Sequence, residues 1–484
     1  MPNEPTIEGE LFTAFVAAGA ISKANADDPK KTGLVRCART DKGVHAAGNV
    51  VSLKLIVEDT DIVEKINSHL SKQIRVWGIE RTIGSFSCYQ ACDSRWYEYL
   101  LPTHSLLPPH PSSFLGKKLV ELAQEADDLE GYRSRQEEVK DFWINAEDKH
   151  IHPILKSLDE ETRKRMHDAL FESTDESSSF EDEPQDDAAK AKNGDGVPNH
   201  EATEADSTSS ALPAADASEI PAKDATSKIS RLSSKALDSE TEQFRDAAKK
   251  LKAAYIVARK EYRVSSARLA RLEEALNEYV GTHNFHNFTV RKTAKDPSCK
   301  RHIKSFQLNT STIIKNGTEW VSLKVHGQSF MMHQIRKMVG LAALVVRCGC
   351  PISRIRETCT EAVVSIPKAP SLGLLLERPV FDSYNTNQAA KHEREPIDFD
   401  KYEKEMLEFK DREIYSRMFK VEEVDGVYTT FFGHLDNYRE TFFLYLSSGG
   451  IKAAGDARKA RTARGPKILD DDSDDEKVQG GEDG

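Results

Sequence analysis

Cysteine and long apolar runs are scarce in this sequence. It has seven cysteines among 484 residues and none of them forms a CxxC pair, so the ligand spacing of a structural zinc site is absent. No secretory signal precedes them, which favours packed thiols in a reducing compartment over disulfides. The longest apolar run, Val339–Val346, is too short to cross a bilayer. We therefore expect no metal site, no disulfide framework and no membrane span.

The chain also lacks an overall excess of positive charge. Its 68 Lys and Arg residues stand against 79 Asp and Glu, which gives a formal net charge of -11. The acidic excess is local, because residues 171–227 contain 15 acidic and 3 basic side chains and residues 468–484 contain 8 and 1. Without those two segments the rest of the chain carries a net charge of +8. That remainder is basic and suits a phosphate-rich partner.

Strand and helix patterns alternate along the chain. Apolar alternation predicts strands at Val50–Leu55, Ile74–Trp77, Arg95–Leu101, Ser305–Leu308 and Trp320–His326. Helical periodicity marks Thr6–Phe12, Asp61–Ser71, residues near 238–262 and 265–280, Phe330 to before Gly349, Tyr402–Phe419 and Thr430–Leu446. The helix from Phe330 is predicted to be amphipathic, with an apolar face formed by Ile335, Met338, Val339 and Ala342 and with Arg336 on a neighbouring face. Residues 171–227 have almost no large apolar side chain and are predicted to be disordered. The interleaving indicates an α+β fold interrupted by one long insertion.

The densest functional signal is the stretch 36–46, which reads RCARTDKGVHA. One carboxylate, Asp41, lies among Arg36, Arg39, Lys42 and His45, just before a predicted strand. Nearby cations keep a carboxylate ionised and able to act as a nucleophile or base. On these residues alone a solvated surface turn, in which Asp41 pairs with a neighbour, stays open and is the commoner arrangement of charged loops.

Five stretches together resemble one enzyme family. Residues 39–46 resemble the signature of the TruA family of pseudouridine synthases, in particular its eukaryotic pseudouridine synthase 1 branch. Four later stretches resemble further blocks of that branch in family order: 93–103, 281–289, 330–340, and 369–374 with 382–385. Any one block alone is weak, but five in order are hard to obtain by accident.

The resemblance implies an enzyme that isomerises uridine to pseudouridine in tRNA, with small nuclear and messenger RNA as further candidate substrates. The family reaction breaks the N-glycosidic bond at C1′, rotates the uracil in place and rejoins it through C5. It needs a carboxylate beside the sugar, and neither a metal nor a redox or nucleotide cofactor. Asp41 matches the catalytic aspartate. Whether it attacks C1′ or first removes a sugar proton stays open.

The resemblance also implies roles for other residues. Tyr97 matches the tyrosine that stacks on the target uracil, although strand alternation alone predicts a half-buried sheet tyrosine facing Tyr99. Arg336 matches the arginine that pairs with the catalytic aspartate. Arg39 matches the residue that fills the gap left by a flipped uridine. The further predicted substrate-binding residues are Arg36, Lys42, His45, Leu372 and Leu374. On the helix of Arg336, Gly340 is expected to permit a close backbone approach.

By the same resemblance the α+β fold has two lobes that share one extended, mostly antiparallel sheet with flanking helices. The predicted divisions are an N-terminal catalytic lobe with the Asp41 loop (1–104), a partly helical insertion (105–170), an acidic disordered linker (171–237), a C-terminal catalytic lobe (238–390), a helical extension (391–450) and a disordered basic and acidic tail (451–484). The family's first strand, ahead of the helix after Pro5, is missing from the sequence, which predicts an unpaired sheet edge and a partly uncovered core. Either the sequence is truncated, which we favour, or the protein folds less stably than its relatives, and an inactive chain stays open. The insertion and extension favour a monomer.

Location and rival functions complete the predictions. The basic run Lys452–Lys467 resembles a nuclear-import signal, with an ordinary charged tail as the alternative, so we expect a nuclear protein and leave a mitochondrial location open. The main rival is a non-catalytic RNA-binding protein or RNA chaperone, that is, an inactive truncated synthase. A hydrolase or phosphatase with an aspartyl nucleophile would need an acidic metal cluster near Asp41, and that stretch is basic. A scaffold acting through its acidic segments is the third rival.

Overall fold

A computed structural model of the chain describes residues 6–160, 162, 163, 166 and 242–455. The described residues belong to one compact unit, formed by residues before 174 and from 240 to 460. The predicted acidic linker at 171–237 and most of the predicted tail lie outside the described residues, as does most of the basic run.

A mixed β-sheet lies at the centre of the described fold. The strands are β1 (Val35–Arg36), β2 (His45–Ala46), β3 (Val51–Ser52), β4 (Ser94–Pro102), β5 (Gly281–Asn284), β6 (Lys300–Lys315), β7 (Thr318–Gly327) and β8 (Leu374–Val380). Six of them form one sheet in the order β2-β8-β4-β7-β6-β5, and β1 pairs with β3 separately. The β2–β8 pair is parallel, whereas the other neighbours in the six-stranded sheet are antiparallel.

Helices surround this sheet and confirm the α+β class. They are α1 (Ile7–Ala17), α2 (Ile62–Ser68), α3 (Phe114–Glu125), α4 (Leu129–Ser134), α5 (Phe142–Ala146), α6 (His152–Lys156), α7 (Glu242–Glu261), α8 (Ser266–Asn277), α9 (Gln334–Arg347), α10 (Arg354–Glu357), α11 (Asp382–Tyr384), α12 (Glu403–Phe409), α13 (Ser416–Asp425) and α14 (Val427–Asn437). A single π-helical turn, Lys410–Tyr415, joins α12 to α13. At the start of α1 the Thr6 hydroxyl accepts a hydrogen bond from the Gly9 N–H at 3.0 Å and so caps the predicted helix.

Strand β4 is buried on both faces. Tyr97, Tyr99 and Leu101 alternate with Glu98 and Leu100 as predicted, yet all five are at most 8% exposed. Glu98 is buried because Lys410 and the Tyr415 hydroxyl, from the helical C-terminal segment, both reach its carboxylate. Burial opposes the charged carboxylate, but Lys410 and the hydrogen bonds outweigh it and lower the pKa of Glu98 to about 2. The sheet therefore has a covered polar face as well as an apolar one.

Of two strands predicted in the N-terminal part, one is shorter than predicted and the other is not a strand in the structure. Val50–Leu55 is a strand only at β3, and Ile74–Trp77 pairs with no other strand. Their apolar side chains still pack on the core of α1 and α2. In the segment Ile74–Trp77, the Asn67 side chain forms hydrogen bonds of 2.8 Å with both the N–H and the C=O of Val76. This side chain satisfies backbone groups that a neighbouring strand would otherwise have to pair.

Helix α9 differs from the predicted amphipathic helix in start and in burial. It begins at Gln334 rather than near Phe330, and every residue except Lys337 is buried. The predicted polar side is buried because its side chains have protein partners. The Arg336 Nε donates to the Ala369 carbonyl at 2.7 Å, and the Arg347 Nε donates to the Leu107 carbonyl at 3.1 Å. The helix is therefore a central core element with internal polar contacts.

Candidate active site

The Asp41 loop is anchored at both of its ends. Before it, the Cys37 N–H donates to the Val50 carbonyl at 2.8 Å, next to the β1–β3 pair. After it, β2 lies alongside β8, and the Ala47 N–H donates to the Leu376 carbonyl at 2.8 Å. Within the loop the Val44 N–H closes a turn onto the Asp41 carbonyl at 3.0 Å. These bonds fix the backbone on either side of the carboxylate.

The direct partner of the Asp41 carboxylate is His333. The His333 Nδ1 lies 2.9 Å from Asp41 Oδ2, and the Asp41 side chain is 36% exposed. This hydrogen bond is the largest influence that lowers the pKa of Asp41 from 3.8; burial acts in the opposite direction, and the charges of Arg336 and Lys368 add to the lowering. The site thus holds an ionised carboxylate that is still open to solvent.

Arg336 is close to Asp41 but is oriented by another group. Its side chain is buried and donates to the Ala369 carbonyl, while the Ala369 N–H donates back to the Arg336 carbonyl at 3.1 Å. Its charge lowers the pKa of Asp41 without a hydrogen bond between the two in this structure. The close approach expected at Gly340 is confirmed, because a Cβ there would lie 2.7 Å from the Pro367 carbonyl oxygen. The 367–369 segment therefore packs tightly on α9 and carries Lys368 to the site.

Tyr97 faces the site from the sheet. It is 8% exposed, and its ring meets Phe330 edge-on with a centroid distance of 5.3 Å. Burial raises the pKa of Tyr97 to about 12, and the negative charge of Asp41 contributes to the rise. The phenol is consequently neutral and lies within the electrostatic reach of Asp41. Tyr97 is thus a buried residue of the sheet, as strand alternation predicts, and its phenol also lies within the electrostatic influence of the Asp41 carboxylate.

The predicted basic substrate-binding residues have different surroundings. Arg39 and Lys42 are exposed on the loop of Asp41. Arg36 forms an ion pair with Glu8 of α1. His45 lies in β2, where burial and the charge of Arg417 lower its pKa to about 4. The structure thus places Arg39 and Lys42 where a polyanion can reach them, whereas His45 is a neutral, part-buried strand residue.

The predicted apolar residues lie beside the same loop. Leu372 is half-buried in the turn Ser371–Gly373, and Leu374 is 7% exposed in β8, opposite Tyr99 of β4. The Ser371 hydroxyl faces Gly43, since a Cβ on Gly43 would lie 2.9 Å from its oxygen. The turn therefore packs directly against the Asp41 loop.

Two residues of the site were not predicted, namely His333 and Lys368. His333 belongs to the stretch 330–340 that carries the family resemblance, three residues before Arg336. A histidine so close to the predicted arginine was an available signal, and Lys368 directly precedes the stretch 369–374 that resembles the closing family block.

Gly43 offers a test of how tightly the loop is held. Its φ of +77° disfavours any side chain, and an added Cβ would meet Ser371. We expect Gly43→Ala to lower kcat by about tenfold, because displacement of the loop misplaces Asp41. We also expect it to lower the free energy of unfolding by about 1–2 kcal/mol.

Steady-state kinetics and urea unfolding would measure both effects. Gly84→Ala is the matched control, since a Cβ on Gly84 meets nothing within 4 Å and its φ is not positive. Equal behaviour of the two variants would show that the loop tolerates displacement at Gly43.

The described part of the chain has neither a cluster of metal-ligating side chains nor a helix that could span a membrane. Across residues 6–160 and 242–455 no group of three or more His, Cys, Asp or Glu side chains is arranged to hold a metal ion. The helices in these ranges include none with the length and apolar character needed to cross a membrane. Cys88, Cys348 and Cys350 are free and buried.

Comparison with known proteins places this site in a family. The profile of a family described as tRNA pseudouridine synthase matches residues 275–382, which include α9, β8 and the 367–369 segment. A tRNA pseudouridine synthase 1 of Schizosaccharomyces pombe is 39% identical over 491 residues, covering 100% of this chain and 88% of the relative. One from Yarrowia lipolytica is 42% identical over 454 residues, covering 93% and 73%.

A tRNA pseudouridine(27/28) synthase of Saccharomyces cerevisiae is also similar, with 35% identity over 386 residues and 80% of each chain covered. An α+β fold with a carboxylate on a loop beside a central sheet, together with these similarities, defines the class. The chain belongs to the tRNA pseudouridine synthase family, and the predicted TruA-type resemblance is confirmed.

Proposed function

We propose that this protein is an isomerase that converts uridine to pseudouridine in tRNA, with Asp41 as the catalytic carboxylate. One observation carries the assignment. A solvent-accessible carboxylate is held ionised by His333, Arg336 and Lys368 in the loop that resembles the family signature. Its relatives are named as tRNA pseudouridine synthases, which supports tRNA as the substrate.

Both routes of the family reaction require the ionised form of Asp41. In one route a carboxylate oxygen bonds to C1′ as the C1′–N1 bond breaks, and its electron pair moves to N1 of the uracil. The base then turns, C5 bonds to C1′ as the carboxylate leaves, the C5 proton is lost, and N1 takes up a proton. In the other route Asp41 first removes a sugar proton. The neutral phenol of Tyr97 offers an aromatic face to the uracil in either case.

RNA binding is assigned to the exposed cations near Asp41. Arg39 and Lys42 are exposed on the loop, and the chain outside its two acidic segments has a net charge of +8. We propose that Arg39 occupies the gap left by the flipped uridine, and that Lys42 contacts phosphate. Structured small nuclear and messenger RNAs are proposed as further substrates.

The finer architecture and the location are also proposals. Residues 1–104 and 238–390 would be two lobes sharing the sheet, and 391–450 an extension that limits RNA access and favours a monomer. Burial of Glu98 by Lys410 supports the packing of that extension. Nuclear residence is proposed from the basic run Lys452–Lys467, and neutralising its charges in a fluorescent fusion would test it.

The function is tested by release of tritium from tRNA labelled at uracil C5. Pseudouridine formation expels that hydrogen, so the full chain should release label in proportion to the pseudouridine formed. A heat-unfolded tRNA of the same sequence is the matched control for recognition of folded RNA. Binding of tRNA without release of label would favour the rival, a non-catalytic RNA-binding protein or chaperone.

The pH dependence follows from the lowered pKa of Asp41. Since that pKa lies below 3.8, the carboxylate is ionised at pH 5 and above, and we expect kcat to fall with acid only below about pH 4. Because the pKa of Asp41 is lower in the folded state than in the unfolded state, its ionisation stabilises the fold at pH values above the unfolded-state pKa. This stabilisation is lost as the pH falls through the folded-state pKa. Single-turnover rates against pH would measure the acid limb. A midpoint above about pH 5 would contradict the arrangement around Asp41.

A further inference from the structure

His333 contacts the carboxylate on which the proposed reaction depends. Its Nδ1–H donates to Asp41 Oδ2 at 2.9 Å, and its side chain is only 9% exposed. The other carboxylate oxygen, Oδ1, takes no hydrogen bond from any residue in the described ranges. One oxygen of Asp41 is therefore held by the protein while the other is left for the substrate.

The backbone around His333 is held in an uncommon conformation. Its φ of 60° and ψ of 0° lie in the left-handed region, which glycine and asparagine adopt most readily. The neighbouring Gln334 locks the turn, because its N–H donates to the Met331 carbonyl at 3.1 Å and its Oε1 accepts from the Met331 N–H at 2.9 Å. The His333 carbonyl also accepts the Lys337 N–H at 3.0 Å. The turn fixes where the imidazole can reach.

The histidine side chain does not serve the helix that it precedes. His333 is the N-cap residue of α9, yet its side chain makes no capping hydrogen bond there. A strained N-cap position would be better filled by asparagine or glycine if helix stability alone mattered. The imidazole instead contacts Asp41, a residue 292 positions away in the sequence.

We propose that His333 is a positioning residue for the isomerisation, holding Asp41 Oδ2 so that Oδ1 is presented to the ribose of the target uridine. This inference rests on the proposed function. The positive charges of Arg336 and Lys368 also act on Asp41, and the charge of Asp41 acts on the Tyr97 phenol. Those cations would keep Asp41 ionised near neutral pH without His333. The specific contribution of His333 is thus the orientation of the carboxylate, which acts on kcat rather than on RNA affinity.

Two substitutions separate the hydrogen bond from the backbone conformation. His333→Gly permits the left-handed conformation but removes the donor. His333→Asn also tolerates that conformation, and its side-chain amide can donate from nearly the position of Nδ1. We expect His333→Gly to lower kcat by about 100-fold, since a displacement of about 1 Å in a reacting group has an effect of that size. We expect His333→Asn to recover at least about a tenth of the wild-type kcat.

Single-turnover tritium release, tRNA binding and thermal unfolding would be measured for wild type and both variants. We expect KM and tRNA affinity to stay within about twofold of wild type, because no RNA-binding group is removed. The acid limb of the glycine variant should lie at higher pH, since the main influence that lowers the pKa of Asp41 is gone.

The outcomes distinguish this inference from the function on which it rests. Absence of tritium release from wild type would refute the proposed function and the inference with it. An active wild type with unchanged kcat and pH profile in His333→Gly would refute the inference alone. Equal losses of kcat in the two variants, in step with equal losses of thermal stability, would show a structural role and also overturn it.

Discussion

Replacement of Asp41 by asparagine is expected to lower kcat for tritium release from tRNA by at least about 10³-fold. An amide of the same shape can neither bond to C1′ nor take a proton from the sugar. The Asn oxygen can still accept the hydrogen bond from His333, so the loop should keep its position. Enzyme in excess over labelled tRNA would give the rate of the chemical step, and filter binding would give the affinity.

The control for this variant is Asp27→Asn. Asp27 forms an exposed ion pair with Lys31, with 70% of its side chain exposed, and such pairs contribute little. We expect that variant to keep the wild-type rate and the wild-type affinity. If Asp41→Asn retained more than about a tenth of the rate, Asp41 would not be the catalytic carboxylate.

Removal of the Asp436 carboxylate is expected to have the largest effect on stability. Asp436 of α14 forms a two-pronged ion pair with Arg347 of α9, and the two side chains are 8% and 4% exposed. The guanidinium also lies 4.7 Å from the centre of the Phe432 ring. Asp436→Ala would leave a buried cation without its counterion, which typically lowers the free energy of unfolding by about 3–5 kcal/mol. Urea unfolding followed by circular dichroism would measure it.

A double variant separates the lost pair from the unpaired charge. Replacing both partners with apolar residues of similar volume, as in Arg347→Met with Asp436→Leu, should recover most of the stability because no charge then remains buried. A loss below about 1 kcal/mol for Asp436→Ala alone would mean that Arg347 finds water or another partner. Helix α9 also carries Arg336, so partial unfolding of this helix would displace a residue of the candidate site. We therefore expect the kcat of Asp436→Ala to fall at urea concentrations near the midpoint of its unfolding.

The sequence allowed the main strands to be predicted, because their signals are local. β4 lies in an alternating stretch, and α1 begins at a threonine that caps it. Asp41, Tyr97 and Arg336 fall in stretches that resemble the family blocks, and the structure places charge or aromatic contacts around each of them. Their catalytic roles stay predictions that the substitutions above would test.

Features that depend on distant partners could not be predicted in this way. Alternation at Ile74–Trp77 indicated a strand, but the side chain of Asn67 satisfied the backbone of Val76 instead. Helix α9 was predicted to be amphipathic, yet its Arg347 side chain is buried in an ion pair with Asp436, which lies 89 residues further along the chain. The contact of His333 with Asp41 joins segments 292 residues apart. No local pattern specifies such pairings.

The parallel pairing of β2 with β8 has a consequence for how the protein is made. The two residues of β2 emerge early from the ribosome, but their partners Leu375 and Leu376 are synthesised some 330 residues later. Contacts this distant in sequence form slowly, since the intervening chain must first be ordered. A nascent chain that has passed Asp41 and Tyr97 therefore lacks the strand that aligns the loop. We therefore expect no pseudouridine formation by a nascent chain that ends before β8.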